Sequence, residues 1–332
     1  MDIRNTRAMK TFAAERLTNA PMEKKIVLIY SGIVTALALL ATVIQYVLGL
    51  QIDQLGGLSH MGTRTILSTI QTMLPLAQSL ILICLELGYV AAMLRIARGQ
   101  YASPNTLRLG FSRFWTLLRC CVIRGIIYAG LTVGALYLSS MIFVFSPWGG
   151  PFMEKMDALT GGTSLLNSTV VLDDAMILQL IPTLVPMLIL VAILVLLFVV
   201  PVALSMRMVG YVIIDKPALR PMAALRESRR MMHGNCLKLL KLDLSFWWYY
   251  LVMFLIAAVA NLDQLLAFLG IGLPMPEIVA YFGFYIAYLL MQLAVFAFLR
   301  NRLEVTYSLF YDSVKPEEPK EGGVVLGNIF QM

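Results

Sequence analysis

LILVAILVLLFVV, Leu188 to Val200, is an unbroken run of apolar side chains, and its surroundings decide what it becomes. Apolar character extends outward to Ile177 on one side and Ser205 on the other. A stretch longer than about 18 apolar residues is the mark of a membrane-crossing helix, whereas a buried soluble helix is shorter and alternates with polar positions. Pro182, Pro186 and Pro201 sit toward the ends of this run and leave its centre uninterrupted. That placement differs from the mid-span breaks with which transporters build binding sites.

Five more runs of the same kind flank it: Ile26–Leu50, Ile66–Leu94, Val122–Phe145, Leu244–Leu269 and Ile278–Leu299. The first is too long for the apolar core of a signal peptide, about 7–15 residues, and reads as an uncleaved span. Composition agrees. Of 332 residues 59% are hydrophobic and 14% charged, and the mean hydropathy is +0.80. A soluble domain carries roughly 25% charged residues. The expected fold is therefore an all-α membrane protein, a bundle of six transmembrane helices. Residues 1–25 form an amino-terminal segment, 26–312 the membrane domain and 313–332 a tail without structure of its own.

Of the 26 Lys and Arg residues only Arg64 and Lys155 fall in the segments that alternate with the others, so 24 lie on one side. Short basic loops stay cytoplasmic. This predicts both termini on the cytoplasmic side of the membrane. The net charge of +7 then faces anionic headgroups and needs no nucleic acid to explain it. The remaining long external loop, Ser146–Ala175, is glycine-rich and reads as irregular with a short helical turn.

Two of the inner segments have helical periodicity. Asn105–Cys121 gathers Leu107, Phe111, Phe114, Trp115, Leu118 and Cys121 on one face, with Arg108, Arg113 and Arg119 on the rest. Pro217–Gly234 carries Arg226, Arg229 and Arg230, with Pro217 or Pro221 suited to its first turn and Gly234 to its end. Both read as cytoplasmic interfacial amphipathic helices. Their lipid contacts would be Arg108, Arg113, Trp115, Arg119, Arg226, Arg229 and Arg230.

Glu86 is the intramembrane carboxylate. Such a residue is costly and is a functional-site candidate by default. Gln71, Pro75, Gln78, Ser79, Glu86 and Tyr89 share one face of the second span, and Arg124 of the third span, above Tyr128, is a candidate partner. Three readings stay open: an ion pair of Glu86 with Arg124 that staples two helices, a proton or substrate relay, and a protonated carboxyl bonded to a neighbour. On the first span Ser31, Thr35, Ala38, Thr42, Gln45 and Gly49 make a small-residue face suited to close packing. Tyr281, Tyr285, Tyr288 and Gln292 do the same for the sixth.

Cys84, Cys120, Cys121 and Cys236 have no ligand spacing, and His60 and His233 fall on opposite sides, so neither a metal nor a cofactor is expected. Phosphate loops, G-x-S-x-G and H-E-x-x-H are missing, and no catalytic residue is assigned.

The stretch Tyr211–Phe246 resembles a bacterial family of integral membrane proteins known as domain of unknown function 975. The residues that carry the resemblance are Tyr211, Asp215 and Pro217, then Ala224, Ser228, Met232, Gly234 and Asn235, then Leu242, Asp243, Leu244, Ser245 and Phe246. Thr306, Phe310 and Tyr311 match the closing pattern of the family. Trp247, Trp248 and Tyr249 depart from it, as do Pro201, Val202 and Ala203. The resemblance implies a six-helix protein of a bacterial plasma (inner) membrane, from a family with no established activity. A looser similarity links the chain to the membrane domain that accompanies some glycerophosphodiester phosphodiesterases, and it carries no catalytic residue over. The expectation is a non-catalytic membrane module that acts on lipids, membrane-active compounds or a partner membrane protein. The alternative is a transporter or permease component with a polar path. Oligomeric state is not legible.

Overall fold

The structure, a computed structural model, describes residues 6–20, 22–55, 61–160, 174–262, 265–266 and 277–315. No strand occurs among them. The chain separates into two compact units, one of residues 1–118 with 208–332 and one of Arg119–Arg207.

The larger unit opens with a helix the hydropathy pattern does not announce, α1 (Thr6–Thr18), which buries Met9, Ala13 and Leu17 at four-residue intervals. The first two membrane helices follow as α2 (Glu23–Gln54) and α3 (Met61–Ala97). Both overrun the expected spans, because polar flanking residues continue the helical hydrogen bonding outside the apolar core. Tyr30, Val34, Leu85, Tyr89 and Met93 join in one apolar cluster with Ala13, Leu17, Val305 and Leu309. α3 ends at Gly99, whose φ of +72° is the left-handed conformation that closes a helix without steric penalty.

The next segment departs from the single amphipathic helix expected over Asn105–Cys121. A 3-10 turn (Pro104–Arg108) leads into a one-turn helix, α4 (Leu109–Ser112), and the chain breaks at Arg113. Its continuation already belongs to α5 (Phe114–Val144), the third long helix. The cause is contact with α3. A Cβ on Gly88 would run into the Leu107 carbonyl, and one on Gly110 into the Cys84 carbonyl, so each glycine admits the other element's backbone. Leu107 and Gly110 are buried there, so this part of the segment packs against α3.

Later in this unit come α8 (Val209–Asp215), α9 (Pro221–Met232), α10 (Cys236–Leu244) and α11 (Trp247–Ala260). Of the two candidate prolines, Pro221 takes the first turn of α9, and residues 217–220 form a turn ahead of it. Gly234 closes α9 with φ +78°. α10 and α11 meet at a 60° bend. At 14 residues, α11 is about 21 Å long, short of a hydrocarbon core of about 30 Å. The expected continuation of that span to Leu269 falls largely outside the described residues. The last long helix is α12 (Glu277–Val295), a π turn (Phe296–Arg300) and α13 (Asn301–Val314) in unbroken succession. α13 therefore continues past residue 313, where the tail was expected to start, and Lys315 pairs with Asp215 at 3.1 Å.

The smaller unit holds most of α5, then α6 (Gly149–Thr160) and α7 (Asp174–Ser205). α6 is a twelve-residue helix where an irregular loop with a single turn was expected. Its Phe152 ring meets Phe143 edge-on at 5.5 Å. The rest of that loop, with Gly161, Gly162 and Asp173, lies outside the described residues. Among the described residues five helices are long and apolar enough to cross a membrane, or six if the bent pair α10–α11 counts as one span.

Candidate functional site

Glu86 faces the larger unit's interior, and its partner there is Arg300. The carboxylate of Glu86 accepts from the Arg300 guanidinium through both oxygens and from Tyr30 Oη at 2.6 Å. This replaces the expected pair with Arg124. That arginine belongs to the smaller unit, where its guanidinium lies 5.9 Å from the Tyr128 ring. Arg300 was not singled out, because it stands just past the apolar run and its partner is 214 residues away.

Three rings surround the Arg300 guanidinium: Phe296 at 4.5 Å, Tyr30 at 5.2 Å and Tyr89 at 5.4 Å. Tyr30 and Tyr89 stack at 4.4 Å. A cation over aromatic faces gains about 0.5–2 kcal/mol, more when water is excluded. Tyr89 Oη is buried with no hydrogen-bond partner among the described residues. Gln78, expected beside Glu86, is half-buried and also has none among them. The π turn explains how Arg300 reaches the cage. Such turns insert one extra residue into a helix and recur at functional positions, and here the turn ends on the arginine itself.

α13 carries more of this polarity inward. Asn301 donates its amide to buried Glu23, and Tyr211 Oη donates to Glu304 at 3.3 Å. Tyr211 stacks on Tyr311 at 5.2 Å, and Tyr311 Oη donates to Asp215 at 3.2 Å. Arg98 then grips two carboxylates at once, donating to Asp215 at 2.7 and 2.9 Å and to Asp312 at 2.6–3.2 Å. This clasp ties the ends of α3, α8 and α13 together. Burial raises the Asp215 carboxyl, but Arg98 and Lys315 outweigh it and hold the group below its ordinary value of 3.8. A depressed carboxylate contributes stability that is complete above the unfolded value and is lost as pH falls through the folded one. Thermal unfolding in detergent should therefore show an acid-induced loss setting in below about pH 4. Asp215→Asn should remove that portion of the loss; an identical acid profile in the variant would assign it elsewhere.

The motif residues form a structural set. Ser228 and Met232 are fully buried on α9, and Asn235 Nδ2 donates to the Met231 carbonyl at 3.1 Å. Pro217 is exposed in the turn before α9. Ser245 and Phe246 make the α10–α11 bend. Lys10 Nζ donates to the Ser245 carbonyl at 2.6 Å and sits 4.0 Å above the Phe246 ring, where burial lowers the Lys10 ammonium from its usual value. Tyr307 donates to Asp243 and is 3.0 Å from the Tyr250 hydroxyl.

These caps, bends and clasps span the chain from α1 to α13, and so does the comparison with known families. A family model described as a protein of unknown function, DUF975, matches residues 4–318. The chain belongs to that family. No curated protein and no solved structure matches it. Within this family member, Asp215, Ser228, Met232, Gly234, Asn235, Ser245 and Phe246 hold α8 to α11 in place, and a membrane-embedded helical protein of unknown activity is what the fold and the family together describe.

The basic surface residues divide differently. Arg226, Arg229 and Arg230 are exposed on α9, whose apolar stripe of Ala224, Leu225, Met231 and Met232 is already covered by protein. Arg108, Trp115 and Arg119 are exposed, and Arg113 turns inward to the Ile213 carbonyl at 3.3 Å. α10 also presents an open apolar side. Leu237 is 78% exposed, Leu244 63% and the following Trp247 62%, with Lys238 and Lys241 exposed among them. No element is expected from sequence over residues 236–243, between the Pro217–Gly234 helix and the span that starts at Leu244.

Proposed function

We propose that this protein is a non-catalytic module of a bacterial plasma membrane whose basic end faces the cytoplasm and engages lipids, membrane-active compounds or a partner membrane protein. α10 carries the reading. A short helix bent 60° from the next one, with leucines, a tryptophan and lysines exposed together, is built to lie in the headgroup layer. The exposed arginines of α9 stand beside it in sequence, and each cation near an anionic leaflet contributes about 1 kcal/mol. The pairing of Glu86 with Arg300, and of Asp215 with Arg98, supports a holding role over a catalytic one.

The test uses the full chain in vesicles with spin-labelled lipids. Phosphatidylglycerol should be enriched over phosphatidylcholine at the protein surface, and R226Q/R229Q/R230Q should cut that preference severalfold. Equal lipid selectivity in wild type and triple variant would sink the proposal. A transporter instead requires Glu86 to change partners during turnover. Solute flux that stops on Glu86→Gln while the protein stays folded would favour it.

A further inference from the structure

A cavity of about 300 Å³ lies where α1, the start of α2 and the end of α3 meet, at the small end of the range for ligand sites. Its walls include one cation and one anion, Arg16 and Glu23. The two do not pair with each other, and neither has an ion-pair partner among the described residues. Glu23 is 7% exposed, and its single hydrogen bond comes from the Asn301 amide. The Arg16 guanidinium rests 4.9 Å from the Phe12 ring and directly over Gly99, where a Cβ would strike it. Buried charge without a counter-charge is costly. Buried Glu23 and half-buried Arg16 give the cavity walls of opposite sign, which fits a ligand carrying both charges.

We propose that this cavity binds a zwitterionic headgroup with a primary ammonium and a phosphate, the chemistry of phosphoethanolamine. The ammonium meets Glu23, and the phosphate meets Arg16 with the side chains of Asn19, Gln100 and Tyr101 at the wall. A primary ammonium offers N–H donors to a carboxylate, which a trimethylammonium cannot do. The depth is right for a lipid. Glu23 precedes the apolar run that starts at Ile26, and the cavity's other wall, Ile96 to Ala102, is where α3 leaves its apolar stretch. Tyr101, 65% exposed, suits that interfacial level. The site lies apart from the arginines of α9 and does not depend on a preference for anionic lipid.

Thermal unfolding of the purified chain, with short-chain phosphatidylethanolamine, phosphatidylglycerol, phosphatidylcholine or free phosphoethanolamine added, tests it. The ethanolamine lipid is expected to raise the midpoint by about 2–4 °C, and the other two lipids are not. Glu23→Gln, which keeps an acceptor for Asn301, and Arg16→Gln should each weaken the response about tenfold. Asn19→Trp closes the exposed rim without touching the core and should abolish it even if the charge variants fold poorly. R226Q/R229Q/R230Q should respond like the wild type, which separates this site from the leaflet reading. A full response to free phosphoethanolamine at equal concentration supports the same chemistry and assigns a soluble source. An equal response to phosphatidylglycerol, or one unchanged by Glu23→Gln and Asn19→Trp, overturns the proposal.

Discussion

Glu86→Leu is expected to lower stability in detergent by about 3 kcal/mol. Removing one member of a buried pair strands the other, at about 3–5 kcal/mol. Arg300 is the more enclosed partner, its side chain 14% exposed against 39% for Glu86, so the stranded charge would sit inside the cage of Phe296, Tyr30 and Tyr89. The open side of Glu86 places the effect at the lower end of that range. Glu86→Gln, which keeps acceptor capacity for Arg300 and Tyr30, should lose less. E86L/R300L should be more stable than Glu86→Leu alone, because an apolar pair of similar volume replaces an ion pair at little cost. Chemical unfolding of the wild type, Glu86→Leu, Arg300→Leu and E86L/R300L gives the coupling directly. A double variant as unstable as the sum of the two singles would mean that the pair is not the staple described above.

The second large effect comes from adding one methyl group. Gly110→Ala places a Cβ on the Cys84 carbonyl, and backbone cannot step aside as a flexible side chain can. Overpacking of this kind costs about 1–3 kcal/mol, and Gly88→Ala, against the Leu107 carbonyl one turn further along α3, should cost a similar amount. Gly125→Ala and Gly130→Ala supply the contrast, since nothing lies within 4 Å of a Cβ at either position. There alanine should stabilise the helix by up to about 1 kcal/mol. Melting midpoints for the four variants, compared at one detergent concentration, decide it. Equal midpoints for Gly110→Ala and Gly125→Ala would show that the 104–112 segment is not clamped to α3.

What the sequence made legible was set by periodicity. Apolar runs give α2, α3, α5, α7 and α12 almost without ambiguity, because a bilayer demands length and hydrophobicity together. The same reasoning underlies Glu86, whose cost in a span singles it out from its own context alone. Its partner was another matter. Arg300 lies at the edge of its run and looks like a flanking charge until the π turn and the rings of α2 and α3 are seen. Yet part of the signal was present. Arg300, Glu304, Ser308, Tyr311 and Lys315 follow each other at intervals of four, four, three and four, which is one face of a helix. A polar stripe of that length invites a search for the carboxylates and tyrosines that cover it. Met9, Ala13 and Leu17 gave the same kind of hint for α1. No such hint existed for Gly88 and Gly110, because a glycine's value in close packing depends on what approaches it from elsewhere in the chain.

The last helix has a consequence beyond its contacts. From Glu277 to Val314 it is one continuous rod, and its single irregularity is the π turn at Phe296–Arg300. An α-helix advances 100° per residue, so the one residue inserted there resets the angular phase of everything downstream. The polar stripe of α13 therefore stands at a different angle to the apolar side of α12 than an uninterrupted α-helix would give it. The turn is the natural place for such a shaft to gain or lose a residue's worth of twist.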